Sequence, residues 1–191
     1  MGRRKITELK ITGRDNRVFQ HLAKCGVITK DTASGYVNYK RLDRLAREGF
    51  LERTNIVKNQ KEFSFYKLTP KGIRYVQNNI PTVNKLYKGA SLKHDLELSK
   101  QFSLLSKQEQ NLAMTENDQI AIFKSSSYCS PVDLYIPSAV VVEADEIIVI
   151  QEKVIEITTN NYKDADIQMK INYVEQHIKT TKDIITFTKT K

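Results

Sequence analysis

Nine arginines stand in this chain of 191 residues, and all of them precede residue 75. A guanidinium is planar and donates parallel pairs of hydrogen bonds, which suits it to phosphate oxygens and to the edge of guanine. Through Lys93 the chain carries 21 Lys plus Arg against 7 Asp plus Glu, a net of +14. From His94 onward it carries 10 Lys, no Arg and 15 Asp plus Glu, a net of −5. A segment at +14 attracts a polyanion, and the release of condensed counterions supplies affinity. The acidic remainder is poorly suited to share that task.

The other chemistry-bearing residue types exclude more than they offer. Cys25 and Cys129 are too few and too far apart for a disulfide framework or a zinc cluster, and read as small buried thiols. No apolar run approaches the ~20 residues of a membrane span. The basic start Met1-Gly2-Arg3-Arg4-Lys5 is followed by no apolar stretch, so no secretory leader is expected. The expectation is a protein without a membrane partner, placed in the cytoplasm. Its 40% apolar content is enough for a buried core.

The elements that would position the arginines follow from periodicity and caps. Val18, Phe19, Leu22 and Ala23 recur at helical spacing, and Cys25-Gly26 closes that helix. Thr29 or Asp31 caps a short second helix, and Ser34-Gly35 marks a turn. A third helix is expected over Tyr36–Glu48, with Tyr39, Leu42, Leu45 and Ala46 inward and Gly49 as its end. Phe50–Val57 and Phe63–Leu68 read as strands around the polar tip Lys58–Glu62. Thr69-Pro70 then opens a final helix.

Leu42-x-x-Leu45-x-x-x-Gly49-Phe50-Leu51, followed by Tyr66-x-Leu68-Thr69-x-x-Gly72, resembles the winged helix-turn-helix family over roughly residues 10–80. That resemblance implies a recognition helix in the major groove of double-stranded DNA. Ser34, Tyr36, Asn38, Lys40, Arg41 and Arg44 would be its readers, with Arg44 and Arg47 also placed for phosphate. The tip residues Lys58, Asn59 and Lys61 would reach the adjacent backbone or minor groove. Arg14, Arg17 and the arm Arg3-Arg4 are further phosphate candidates.

In the second half, Ser91 caps a helix running to about Ser106. Strands are expected at Gln119–Phe123, within Tyr128–Pro137, at Ala139–Val142, at Ile147–Ile150, at Val154–Thr159 and at Ile184–Phe187. A helix is expected from Asp164 to about Lys179. Pro131-x-Asp133, Glu156-x-Thr158 and Lys170-x-x-Tyr173 together resemble a PD-(D/E)XK nuclease-type core. In such a core Asp133 and Glu156 would hold Mg²⁺, and a lysine two positions after the glutamate would polarise water. Thr158 occupies that position here, which leaves Lys170 as the candidate catalytic cation and favours an inactive core kept as an interaction domain.

The two halves together resemble the replication-relaxation, or plasmid mobilisation accessory, family, through Ile11-Thr12-Gly13-Arg14-Asp15, Leu92-Lys93-His94-Asp95-Leu96 and Lys170-Ile171-Asn172-Tyr173. The resemblance implies an α+β chain: a winged helix-turn-helix domain at 1–80, a linker at 81–90 and a small α/β nuclease-like domain at 91–191. It also implies a DNA-binding accessory protein of a plasmid, phage or mobile element, acting in replication or conjugative mobilisation. Its partners would be double-stranded DNA, a relaxase or replication initiator, and a second copy in a homodimer, with no cofactor required. A transcriptional repressor and a Mg²⁺-dependent nuclease are the alternatives. His94 and Asp95 at the junction are further candidates.

Overall fold

Each helix of the first half begins one residue after a side chain whose oxygen accepts a backbone N–H. The computed structural model describes residues 9–58, 61–83, 85–123, 129–144, 146–178 and 185–190. Thr12 and Asp15 exchange bonds in a capping box that opens α1 (Gly13–Cys25). Gly26 ends it at φ 77°, a left-handed conformation that glycine adopts without strain. After β1 (Ile28–Thr29), Thr29 rather than Asp31 caps α2 (Lys30–Ala33). Asn38 caps α3 (Tyr39–Arg47), so this helix starts three residues later than expected. Tyr36 and Val37 instead bond their N–H groups back to the carbonyl of Ala33 and close the turn after α2.

β2 (Leu51–Lys58) and β3 (Lys61–Leu68) pair antiparallel, and β1 pairs along the other edge of β3, giving the order β1-β3-β2. Thr69 caps α4 (Pro70–Asn79), with Pro70 at the first helical position. Gly72 is required there by close approach, since a Cβ would stand 2.2 Å from the Phe50 carbonyl oxygen. Val18, Phe19 and Leu22 of α1, Leu42 and Leu45 of α3, Tyr66 of β3 and Val76 of α4 form the core.

In the second half α5 (Leu92–Ser103) is capped by Ser91, and α6 (Lys107–Leu112) by Ser106. The two-residue β4 (Met114–Thr115) leads into α7 (Glu116–Ile122). The strand expected at Gln119–Phe123 is therefore a helix. Thr115 and Asp118 close a capping box at its start, and this local bond pattern outweighs the apolar alternation of Ile120 and Ile122, both of which are exposed.

β5 (Leu134–Ile136) runs antiparallel to β4 and to β8 (Lys153–Thr158), and β8 runs parallel to β9 (Ile185–Lys189). A parallel pair needs a crossover, which α8 (Asp164–His177) supplies. β6 (Ala139–Glu143) and β7 (Glu146–Ile150) form a separate hairpin. Its inner face packs Val141, Ile148 and Ile150 on a second core that includes Leu98 and Phe102 of α5, Leu134 and Ile136 of β5 and Ile157 of β8, while Val140, Val142, Ile147 and Val149 are each about 70% exposed. Both cysteines are buried thiols, and no described helix is long and apolar enough to cross a membrane. Of the expected elements, Tyr128, Asp145, Lys179 and Ile184 lie outside the described residues.

A buried relay of hydrogen bonds joins the two halves. Gln110 Nε2 of α6 donates to the Tyr36 hydroxyl at 2.8 Å, and that hydroxyl lies 3.2 Å from His21 Nδ1. His21 Nε2 lies 2.7 Å from Ser99 Oγ of α5, which donates to Thr32 Oγ1 of α2 at 3.2 Å. Burial lowers His21 to about 3, so its ring is neutral at ordinary pH. A neutral ring accepting from Tyr36 and donating to Ser99 lets every member of the relay be satisfied. Lys24, also buried, bonds the Ala113 carbonyl across the same seam. Tyr87, inside 81–90, gives its N–H to Ala23 O at 2.8 Å. Replacing Ser99 by Ala leaves the buried His21 N–H without its acceptor. Urea unfolding of that variant should show a loss of about 1–3 kcal/mol with one cooperative transition retained.

Candidate functional site

Two sites emerge, one on each half. The first is the outer side of α3. Leu42 and Leu45 face the core, which turns Lys40, Arg44 and Arg47, spaced i, i+4 and i+7, into a stripe on the other side. Lys40 and Arg47 are exposed and Arg44 is half-buried. A cleft of about 490 Å³ between α3 and β2 is lined by Lys40, Asp43, Ala46, Arg47 and Arg53. Arg53 pairs with Asp43 at 3.3 Å, and Tyr66 donates to the same carboxylate at 2.7 Å. Ser34, Asn38 and Arg14 are also exposed.

Two expected readers, Tyr36 and Arg41, and one phosphate candidate, Arg17, are committed to partners within the protein. Tyr36 is 5% exposed and belongs to the relay. Arg17 lies over the Tyr36 ring at 4.6 Å and donates to Gln110 Oε1 at 3.1 Å. Arg41 grips the buried Asp15 through Nε at 2.8 Å and Nη2 at 2.6 Å, and also donates to the Lys10 carbonyl at 2.7 Å. Burial alone would raise the Asp15 carboxyl, but the Arg41 guanidinium and the Thr12 bonds outweigh it and hold it below its ordinary value. Periodicity put Arg41 on the outer face and gave no sign that α1 would offer it a carboxylate. Arg3, Arg4 and Asn59, and the side chains of Lys58 and Lys61, lie outside the described residues.

The second site gathers Asp133, Glu156 and Lys170. Leu134 pairs with Ile155, so the antiparallel register sets Asp133, just ahead of β5, opposite Glu156 in β8. The Asp133 N–H donates to Glu156 Oε2 at 3.0 Å, and the Ile157 N–H donates to Asp133 Oδ2 at 2.7 Å. Lys170, on α8, stands 3.3 Å from Glu156 Oε1 and bonds the Pro131 carbonyl. Tyr162 donates to Glu156 Oε1 at 2.7 Å. His94 Nε2 lies 3.1 Å from Asp133 Oδ2, and its Nδ1 lies 3.6 Å from Asp95 Oδ1. Tyr87 donates to Asp95 at 3.0 Å. The sequence pointed to His94 and Asp95 at the junction. It gave no signal for Tyr87, and for Tyr162 only its nearness to Glu156 in the loop after β8.

The electrostatics follow from burial and these contacts. Burial and the neighbouring Asp133 push the Glu156 carboxyl up to about 7, against Lys170 and Tyr162. Burial opposes charging of His94, yet Asp133 and Asp95 prevail and raise it to about 9. Burial and the adjacent carboxylates raise the Tyr87 and Tyr162 hydroxyls. The cluster thus holds an imidazolium between two carboxylates, beside a Glu156 carboxyl whose hold on its proton is strengthened by burial. His94, Asp133, Tyr162 and Lys170 line a cleft of about 480 Å³ with Lys88, Lys93 and Glu116 in its walls.

This donor set does not fit Mg²⁺ as arranged. Both Glu156 oxygens and Asp133 Oδ2 already accept hydrogen bonds, and His94 stands where a cation would approach Asp133. Among the described residues no group of three or more His, Cys, Asp or Glu is placed to hold a metal ion. No protein-family model matches the chain, and no curated protein or solved structure matches it.

Two expectations follow. Arg41→Ala strands the buried Asp15 carboxylate and should cost about 2 kcal/mol in denaturant unfolding. The stabilisation from His94 is full below pH 6.5 and is lost as pH rises through about 9, because the unfolded imidazole has by then released its proton. Thermal unfolding should show stability falling over that window, and His94→Gln should flatten the fall.

Proposed function

We propose that this chain is a sequence-specific double-stranded DNA-binding accessory protein whose first half acts as a winged helix-turn-helix. The observation that carries the reading is the outer stripe of α3, where Lys40, Arg44 and Arg47 face away from the core beside the β2–β3 hairpin. The helix–helix–helix–hairpin–helix order of Gly13–Asn79 and the three-stranded order β1-β3-β2 support it. In this reading Lys40 and Asn38 meet base edges, and Arg44, Arg47 and Arg14 meet phosphates. Tyr36, Arg17 and Arg41 position the reader without touching DNA.

The second half, with its nuclease-like core, serves as an interaction domain. Self-association through the outer face of the β6–β7 hairpin accords with the four exposed β-branched side chains there. It would present two readers to two half-sites related by the same two-fold axis. A setting in plasmid or phage replication or mobilisation, beside a relaxase or initiator, rests on the family resemblance alone.

Selection from random duplexes should enrich a short site. On that site Lys40→Ala and Arg47→Ala should each weaken binding by about 1–3 kcal/mol where a base contact is lost, with unchanged thermal stability. A Lys40→Ala/Arg47→Ala double variant that binds the selected duplex as tightly as the parent contradicts the reading.

A further inference from the structure

Three carboxyl groups and two cationic side chains meet in the second half, and all five residues are buried: Asp95, Asp133, Glu156, His94 and Lys170. Carboxylates taken out of water need positive charge and N–H or O–H donors around them. A bound metal ion can supply that charge, or the protein can. Here the protein does. Lys170 stands 3.3 Å from Glu156 Oε1, which also accepts from Tyr162, while Oε2 accepts from the Asp133 N–H. Asp95 Oδ1 accepts from Tyr87 and from the Ala90 N–H at 3.2 Å.

The His94 ring is doubly protonated by its contacts. Tyr87 has one hydroxyl hydrogen and gives it to Asp95 Oδ1 at 3.0 Å. Its oxygen, 3.1 Å from His94 Nδ1, is therefore the acceptor there. On the other side of the ring Nε2 faces Asp133 Oδ2 at 3.1 Å, and that oxygen already accepts from the Ile157 N–H. An imidazolium donates on both sides, with a carboxylate beyond each nitrogen.

The backbone fixes the ring in this place. Ser91 Oγ accepts the His94 N–H and opens α5, whose Leu98 and Phe102 are anchored in the core. Just before it, Tyr87 gives its N–H to Ala23 O of α1, and Asn117 of α7 donates to Leu86 O at 3.2 Å. Gly89 passes so close to Asp95 that a Cβ there would stand 2.7 Å from Oδ2. Residues 86–95 thus form a strap, tied to both halves, that delivers the ring to Asp133.

We propose that His94 is the resident cation of this cluster: its ring takes the place between Asp95 and Asp133 that a divalent metal ion would need, and the strap holds it there. The second half is then a closed, metal-independent module. A divalent ion and the ring compete for Asp133 Oδ2, and the ion gains access only when the ring is removed. The inference deepens the interaction-domain reading of the second half and does not depend on DNA binding.

The test measures Mn²⁺ uptake, read as loss of the free-ion electron spin resonance signal, by the parent chain, His94→Ala, Asp133→Asn and the Asp133→Asn/His94→Ala double variant. The parent should take up no more Mn²⁺ than Asp133→Asn. His94→Ala should bind the ion, and the double variant should lose that binding. A second measurement needs no opened site: nitrogen NMR of the histidine-labelled parent at neutral pH, with the His94 signals assigned by their loss in His94→Gln. Both His94 ring nitrogens should carry hydrogen, and millimolar Mg²⁺ should leave their signals in place. Asp133-dependent Mn²⁺ uptake by the parent overturns the proposal. So does a folded His94→Ala that binds no more Mn²⁺ than the parent, or a His94 ring that Mg²⁺ displaces. No duplex is present in either measurement, so the outcome is separate from that of the DNA-binding reading.

Discussion

The molecule depends on a single neutral imidazole. His21 lies at the centre of the contact between α1 and α5, fully buried, accepting from Tyr36 and donating to Ser99. A buried polar group costs stability unless every donor and acceptor is answered. The answers come from α2, α5, α6 and the turn before α3, so the relay dictates how four elements meet. Lys24 on the Ala113 carbonyl and Gln20, which donates to Thr82 and Asn111, extend the same seam. The basic and acidic halves are thereby joined through a polar interface with specified partners.

That seam decides which charges are available. The first half carries +14 in sequence, but Lys24, Arg17 and Arg41 are committed to carbonyl, amide and carboxylate partners within the fold. What remains outside includes the stripe along α3. The segment Tyr36–Glu48 meets the acidic half at Tyr36, whose hydroxyl accepts from Gln110, while Leu42 and Leu45 are buried in the core of the first half. Three carboxyl groups of the second half, Asp95, Asp133 and Glu156, are answered internally by His94, Lys170 and two tyrosines.

The first half was legible because its signals are local. Thr12, Thr29, Asn38 and Thr69 mark helix starts, Gly26 and Gly49 mark stops, and the alternation in residues 51–57 and 63–68 marks a hairpin. The pairing of Asp133, Glu156 and Lys170 was legible from a spaced pattern, although their mutual hydrogen bonds were not. What escaped is tertiary. Whether Arg41 faces solvent depends on a carboxylate 26 residues earlier, and whether Tyr36 is a reader depends on a glutamine 74 residues later. α7 escaped for the opposite reason, because a capping box over four residues decided a segment whose apolar spacing pointed to strand.

The central claim is that the exposed side of α3 and the neighbouring hairpin form the surface that meets duplex DNA. Amide hydrogen exchange of the full chain, with and without a selected duplex, addresses that claim most directly. The account predicts slowed exchange over residues 34–57 and 62–68, with the β6–β7 hairpin tip unaffected by DNA. Protection confined to the second half, with α3 and the hairpin of the first half exchanging as in the free protein, would contradict it.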